Sequence, residues 1–230
     1  MFNVDISVER AVRNMMHRVY GWMALGLVVT ATIAYLVSTS PVIMHTLFSN
    51  PWLLFGLIIA QLSLVLGLNL TLHKISTATA CALFLGYAAL TGLTLSALFL
   101  VYTHESVVIT FISTAGMFGA MSLYGYFTNK DLSSLGNILF MILIGLIIAG
   151  LVNFFWHNTM FELLISAVGV VLFALLTAYD TQKLKQMGQS LLIEGYSTAK
   201  ISVIGALTLY LDFINLFLYL LRFLGKKRND

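Results

Sequence analysis

Apolar residues run along this chain in long unbroken blocks separated by short polar breaks. Seven blocks reach the length of about 20 residues that a helix needs to cross a bilayer core of roughly 30 Å. They cover residues 20–39, 51–72, 78–102, 107–127, 135–155, 161–182 and 201–224. The apolar residues are consecutive and do not alternate at period two, so the pattern predicts helices and not barrel strands. The breaks carry helix breakers or charge: Ser40-Pro41, Asn50-Pro51, His73-Lys74, His104-Glu105, Asn129-Lys130-Asp131 and Trp156-His157-Asn158. Connections this short predict antiparallel neighbours in one bundle. The expectation is an all-α polytopic membrane protein, with a single transmembrane domain over residues 1–230.

Composition agrees. Of the 230 residues, 60% are hydrophobic and 9% charged, against about 25% charged in a soluble domain. Mean hydropathy is +0.95. A chain of this size cannot hide that much apolar side chain from water. A soluble enzyme, a disordered chain and a disulfide scaffold are excluded. Cys81 is the one cysteine, so no intramolecular disulfide forms, and within an apolar run it reads as a small hydrophobe. No cleavable signal peptide is predicted, because residues 1–19 hold Asp5, Glu9, Arg10, Arg13 and Arg18 and the apolar run after them is a full span.

Net charge is +3, and the positives are spread along the chain without forming a nucleic-acid face. They report topology instead. With the N-terminus in the cytoplasm, that side receives Arg10, Arg13, Arg18, Lys74, Lys130, Lys183, Lys185 and Lys200, while loops 40–50, 103–106 and 156–160 receive no Lys or Arg. Trp52 and Trp156 then fall at outer boundaries, and Tyr20 and Trp22 at the inner one. The tail opposes the bias, since Arg222, Lys226, Lys227 and Arg228 would lie outside after seven full spans. Either the tail is an exception or the last segment does not cross fully. The reading adopted is seven spans, N-terminus inside and C-terminus outside.

Charge inside the membrane is the anomaly that points to chemistry, because an Asp at a helix centre costs about 2.5–3.5 kcal/mol on insertion scales. Asp180 lies near the end of the sixth span and Asp212 in the middle of the seventh, with the polar segment 183–200 expected as the loop between them. Asp212 sits on a polar stripe. Gly205, Thr208, Asp212, Asn215 and Tyr219 recur at spacings of three and four and share one helix face. Thr177, Asp180 and Thr181 make a second patch. If the two carboxyls meet they would share one proton, forming a pH-dependent latch between helices. Its deprotonation would offer two hard oxygen ligands to a cation such as Ca²⁺. Depth works against the pairing. Asp212 lies about 18 Å along its helix from Lys200, but Asp180 only about 5–8 Å from Lys183 and Lys185. The two meet only if the sixth helix continues inward past Lys185 or tilts. The plainer alternatives are an interfacial Asp180 that balances Lys183 and Lys185, and a structural Asp212 hydrogen-bonded to a neighbouring helix.

Other polar residues carry less. His17, His45, His73, His104 and His157 fall in or beside predicted loops with no HxxxH spacing. Gln61 and Asn69 in the second span predict interhelical hydrogen bonds, and Ala115, Gly116, Gly119 and Ala120 in the fourth predict close helix packing. No P-loop, GxSxG or HExxH occurs. The chain is not expected to be an enzyme or to carry a cofactor.

The segments AYDTQKLK (178–185), LTLYLDFINLFLYLLRFLG (207–225), ALTGLTLS (89–96) and GMFGAMSLYGYFTNKDLSSLGN (116–137) resemble the transmembrane Bax inhibitor motif family. The resemblance covers nearly the whole chain and is nearest to the bacterial inner-membrane branch. It implies a seven-helix fold with the last helix central, and a pH-sensitive calcium leak channel. Two aspartates on the sixth and seventh helices, matching Asp180 and Asp212, would form the pH sensor and close the pore on the cytoplasmic side. Some bacterial relatives carry an acidic residue inside the second helix and an arginine near its cytoplasmic end. Gln61 stands at the acidic position here, with Leu72, His73 and Lys74 near the basic one.

Three functional readings follow: a proton-gated Ca²⁺ leak, a non-conducting regulator that binds a membrane protease or stress-response partner through segment 1–18 and loop 183–200, and a proton-coupled transporter. The near absence of helix breakers and of an inverted repeat argues against the last.

Overall fold

The computed structural model describes residues 2–71, 75–193 and 197–228, and the side chains of residues 8–68, 75–190 and 197–228. Leu72, His73 and Lys74, the side chain of Asn69, and Asp230 lie outside the described residues. The helices are α1 (Phe2–Ser38), α2 (Pro41–Ser49), α3 (Pro51–Thr71), α4 (Thr77–Leu95), α5 (Leu98–Val101), α6 (His104–Phe127), α7 (Ser133–Trp156), α8 (Thr159–Ile193) and α9 (Thr198–Leu224). Among the described residues, seven helical segments are long and apolar enough to cross a membrane. In the most apolar stretch of the last, Thr198–Leu224, 72% of the residues are buried, against 6–33% in the other six.

Local chemistry sets the ends. Pro41 opens α2 after an extended Ser40, since a proline gives up no helical hydrogen bond in the first turn. The Ser76 and Thr103 hydroxyls cap α4 and α6 by accepting from Thr79 N–H (3.1 Å) and Ser106 N–H (3.3 Å). His157 ends α7 in the left-handed region, φ 51°.

Four boundaries differ from expectation. Residues 1–18 do not precede the first span as a separate segment, because α1 begins at Phe2. Val12, Met15, Met16 and Val19 are buried at helical spacing, and Arg10, Arg13 and Arg18 lie on the exposed face. A charged stripe is compatible with a helix whose other side is packed. For the same reason 183–193 is helix and not loop, and 198–200 already belong to α9. Helix α8 runs to Ile193 with Leu184 and Gly188 buried and Lys183 exposed. Loop 40–50 contains α2, and the span expected over 78–102 breaks after Leu95.

The chain packs as two compact units, Met1–Val101 with Gly188–Tyr210, and Tyr102–Met187 with Leu211–Asp230. In the first, α1 and α4 approach so closely that a Cβ on Gly92 would come 2.7 Å from the Thr30 carbonyl oxygen. The Thr30 hydroxyl donates to Ala88 O (2.8 Å) and meets the Tyr210 hydroxyl at 2.6 Å. Phe84 and Tyr87 pack edge-on against the Tyr210 ring, at 5.7 and 5.8 Å between centroids. Gln61 Nε2 donates to Leu90 O (3.0 Å) and Thr94 Oγ1 (3.1 Å), which is the interhelical role expected of it.

In the second unit Phe111 and Phe118 of α6 meet Phe213 of α9 edge-on at 5.2 and 5.5 Å. The tail is tied down beside the start of α6. Thr103 N–H donates to Lys226 O (3.2 Å), Lys226 N–H donates to Ser106 Oγ (2.9 Å), and Tyr102 pairs with Lys227.

Candidate functional site

Helices α8 and α9 bring the side chains of Asp180 and Asp212 next to each other. The length of α8 removes the depth conflict. Asp180 is about 20 Å along its helix from Ile193, and Asp212 about 21 Å from Thr198. Asp212 is 6% exposed, and its Oδ2 is buried without a hydrogen-bond partner. A hydrogen bond between two carboxyls requires a proton on one of them, because an ionised carboxylate only accepts. The pair is a two-carboxyl site in which a direct hydrogen bond would need a shared proton. Lys183 lies three residues along α8 from Asp180, and its ammonium is 5.5 Å from the Tyr179 ring centre.

The residues of α8 that flank Asp180 contact α6 and the α6–α7 connection. Ser122 Oγ meets Thr181 Oγ1 at 3.0 Å in a buried contact. A Cβ on Gly125 would overlap the Ala178 carbonyl, so α6 and α8 cross there backbone to backbone. Gln182 reaches the connection twice, accepting from Leu132 N–H and donating to Lys130 O, both at 2.8 Å. Lys185 Nζ donates to Tyr126 O (3.0 Å) at the C-terminal end of α6 and sits 4.7 Å from the Tyr126 ring centre. Gln182 and Ser122 enter the site from the structure. The sequence signal for Gln182 is an uncharged polar residue directly after Thr181, at the end of the apolar run. Asp131, on the same connection, accepts Ser133 N–H at 2.9 Å, and that bond holds its carboxyl below the usual carboxylate range.

The residues expected to support the carboxyls satisfy themselves locally. Thr177, Thr208 and Asn215 donate to the carbonyls four residues back, Phe173 (2.8 Å), Ile204 (3.2 Å) and Leu211 (2.8 Å), a common habit of polar residues in apolar helices. Tyr219 stacks on Phe173 at 5.6 Å and lies under Arg222. Gly116 and Gly119 make no close approach, since a Cβ on either would meet open space. Among the described residues no group of three or more His, Cys, Asp and Glu could hold a metal ion.

Seven membrane-length helices among the described residues and a pair of neighbouring carboxyls on the last two define a polytopic α-helical membrane protein. The chain belongs to the Bax inhibitor-like family: the model described as "Inhibitor of apoptosis-promoting Bax1" matches residues 12–229. The chain is 52% identical to "Inner membrane protein YbhL" of Escherichia coli K12 over 224 residues, covering 97% of this chain and 96% of that one. It is 46% identical to an uncharacterized protein of Borreliella burgdorferi over 231 residues (99% and 100% covered). It is also 46% identical to one of Deinococcus radiodurans over 218 residues (95% and 92%).

Proposed function

We propose that this protein is a calcium leak pathway of the inner membrane, with its N-terminus in the cytoplasm, closed at the Asp180–Asp212 pair and opened when the shared proton leaves. The observation that carries this reading is the buried Asp180–Asp212 carboxyl pair, with Asp212 Oδ2 lacking a hydrogen-bond partner. Protonated, the pair binds α8 to α9. Deprotonated, it becomes two carboxylates that repel at close range in a medium of low dielectric. The same oxygens then attract a hard divalent cation. A resident Ca²⁺ site takes about 6–8 oxygens. Two carboxylates supply at most about four acceptor oxygens in bidentate mode, so the ion keeps water and passes through as cargo. The inner membrane is favoured by the likeness to YbhL and by the seven apolar helices. The cytoplasmic N-terminus is favoured by the lysine and arginine bias.

The sign of the pH effect follows from the proton count: flux rises as pH rises. Asp131 is not the source, because a carboxyl held below its usual range stays ionised near neutrality. The test is Ca²⁺ entry into proteoliposomes from about pH 6 to about pH 8, comparing wild type with Asp180→Asn and Asp212→Asn. Wild-type flux is expected to climb with pH, and both variants to lose that dependence. Folded protein that admits no more Ca²⁺ than empty liposomes at every pH overturns the channel and leaves a partner-binding membrane regulator.

A further inference from the structure

At the end of α7 and α8 away from the aspartates, Asn153, His157, Glu162 and Arg222 line a polar cavity of about 410 Å³ floored by Ile165. It contains one cation and one carboxylate, and among the described residues no ion pair joins them. The Arg222 guanidinium lies instead over the Tyr219 ring, 5.6 Å from its centre. His157 reaches the cavity because α7 ends there in a left-handed residue, a conformation that costs a side chain about 1–2 kcal/mol. Asn153 Oδ1 accepts from Asn158 N–H (3.1 Å), which leaves the amide N–H₂ of Asn153 to the cavity.

Further along the same seam, an apolar groove of about 300 Å³ is lined by Leu139 and Ile142 of α7 and by Val168, Val171, Leu172 and Leu175 of α8. Val168 and Val171 are 47% and 59% exposed, so the groove opens toward the bilayer. Val171 lies about 14 Å along α8 from Glu162, close to half of a hydrocarbon core of about 30 Å. A charged chamber at head-group depth and an apolar groove one leaflet below it have the outline of a single phospholipid.

We propose that the α7–α8 seam with Arg222 binds a phospholipid whose head group carries a phosphate and a primary ammonium. Arg222 takes the phosphate through its forked donors. Glu162 accepts from the ammonium, and the acyl chain fills the groove past Val171. Charge complementarity selects this occupant. A glycerol head group leaves the Glu162 carboxylate without a cation, and a quaternary ammonium has no N–H to give it.

The test is native mass spectrometry of the full-length protein exchanged against phosphatidylethanolamine, phosphatidylglycerol and phosphatidylcholine of matched acyl chains. Phosphatidylethanolamine is expected to be retained about tenfold over the other two, the size of one lost charge-assisted hydrogen bond. Arg222→Gln and Glu162→Gln are each expected to remove that preference. Val171→Trp plugs the groove from its bilayer side without touching the core, so it keeps the fold while lowering retention of all three lipids. Equal retention of phosphatidylcholine, a preference for phosphatidylglycerol, or retention indifferent to Val171→Trp overturns the assignment.

Discussion

Asp180 and Asp212 stand side by side on α8 and α9, and Asp212 Oδ2 is buried and unpartnered. A hydrogen bond between the two carboxyls exists only while a proton is present. An asparagine at position 212 replaces that proton with a permanent amide donor. Asp212→Asn is therefore expected to keep the two helices joined at every pH, with Ca²⁺ flux in proteoliposomes low and flat where wild type climbs. Its thermal midpoint in detergent is expected to stop responding to pH across the same range. A variant whose flux is high at all pH values contradicts a latch that closes by hydrogen bonding.

Gln182 ties α8 to the α6–α7 connection through Leu132 N–H and Lys130 O. Leu132 is buried, so its N–H has no ready substitute. Gln182→Met keeps the side-chain volume and removes both bonds. The expected loss is about 1–3 kcal/mol, the penalty for stranding a buried donor. It is read as a lower unfolding midpoint together with faster amide exchange over residues 128–133.

Gly125 and Gly116 lie on one helix and predict opposite outcomes. A Cβ at Gly125 runs into the Ala178 backbone, whereas at Gly116 it meets open space. Gly125→Ala is expected to destabilise by about 1–3 kcal/mol, because a backbone carbonyl cannot rotate aside. Gly116→Ala is expected to be neutral or to stabilise by up to about 1 kcal/mol through helix propensity. Thermal unfolding of the two single variants in one detergent checks both.

The Thr30 hydroxyl has two partners, Ala88 O and Tyr210 OH. Tyr210→Phe leaves the first intact, so its expected cost is about 0.5–1.5 kcal/mol. Thr30→Val adds little once Tyr210 is Phe. A double-mutant cycle is expected to give a coupling of about 0.6 kcal/mol or more between them. Strict additivity would show that the 2.6 Å contact contributes nothing to holding α9 against α1.

The seven spans were legible because each is a continuous apolar run, and a run needs no partner to be recognised. Their ends were not, because Arg10, Arg13, Arg18, Lys183 and Lys185 read as loop when taken one at a time. Val12, Met15 and Val19 on the opposite face are buried, and they keep the helix going. The aspartates stood out as charges among Leu and Phe. Their meeting depended on how far α8 extends, which no local pattern encodes. The polar stripe on α9 misled in a different way. Thr208 and Asn215 do share a face with Asp212, but they spend their donors on their own helix, and spacing alone cannot reveal that. Gly116 and Gly119 had the right spacing for a helix contact, while the close approach occurs two turns later at Gly125.

The basic tail gives the last prediction. Lys226 is hydrogen-bonded to Thr103 and Ser106 at the start of α6, and Lys130 follows the other end of that helix. The 24 residues of α6 separate these ends by about 36 Å, more than a hydrocarbon core of about 30 Å. The tail and the α6–α7 connection thus lie at opposite ends of α6, so the last helix is expected to cross fully, with the tail an exception to the charge bias. Single Lys130→Cys and Lys227→Cys variants, each in a Cys81→Ser background, are to be treated with a membrane-impermeant maleimide on intact spheroplasts. Label is expected on the Lys227→Cys variant at once, and on the Lys130→Cys variant only after permeabilisation. The reverse pattern would invert the proposed orientation. Labelling of both from one side would contradict a full last span, because the tail and the α6–α7 connection would then share a face of the membrane.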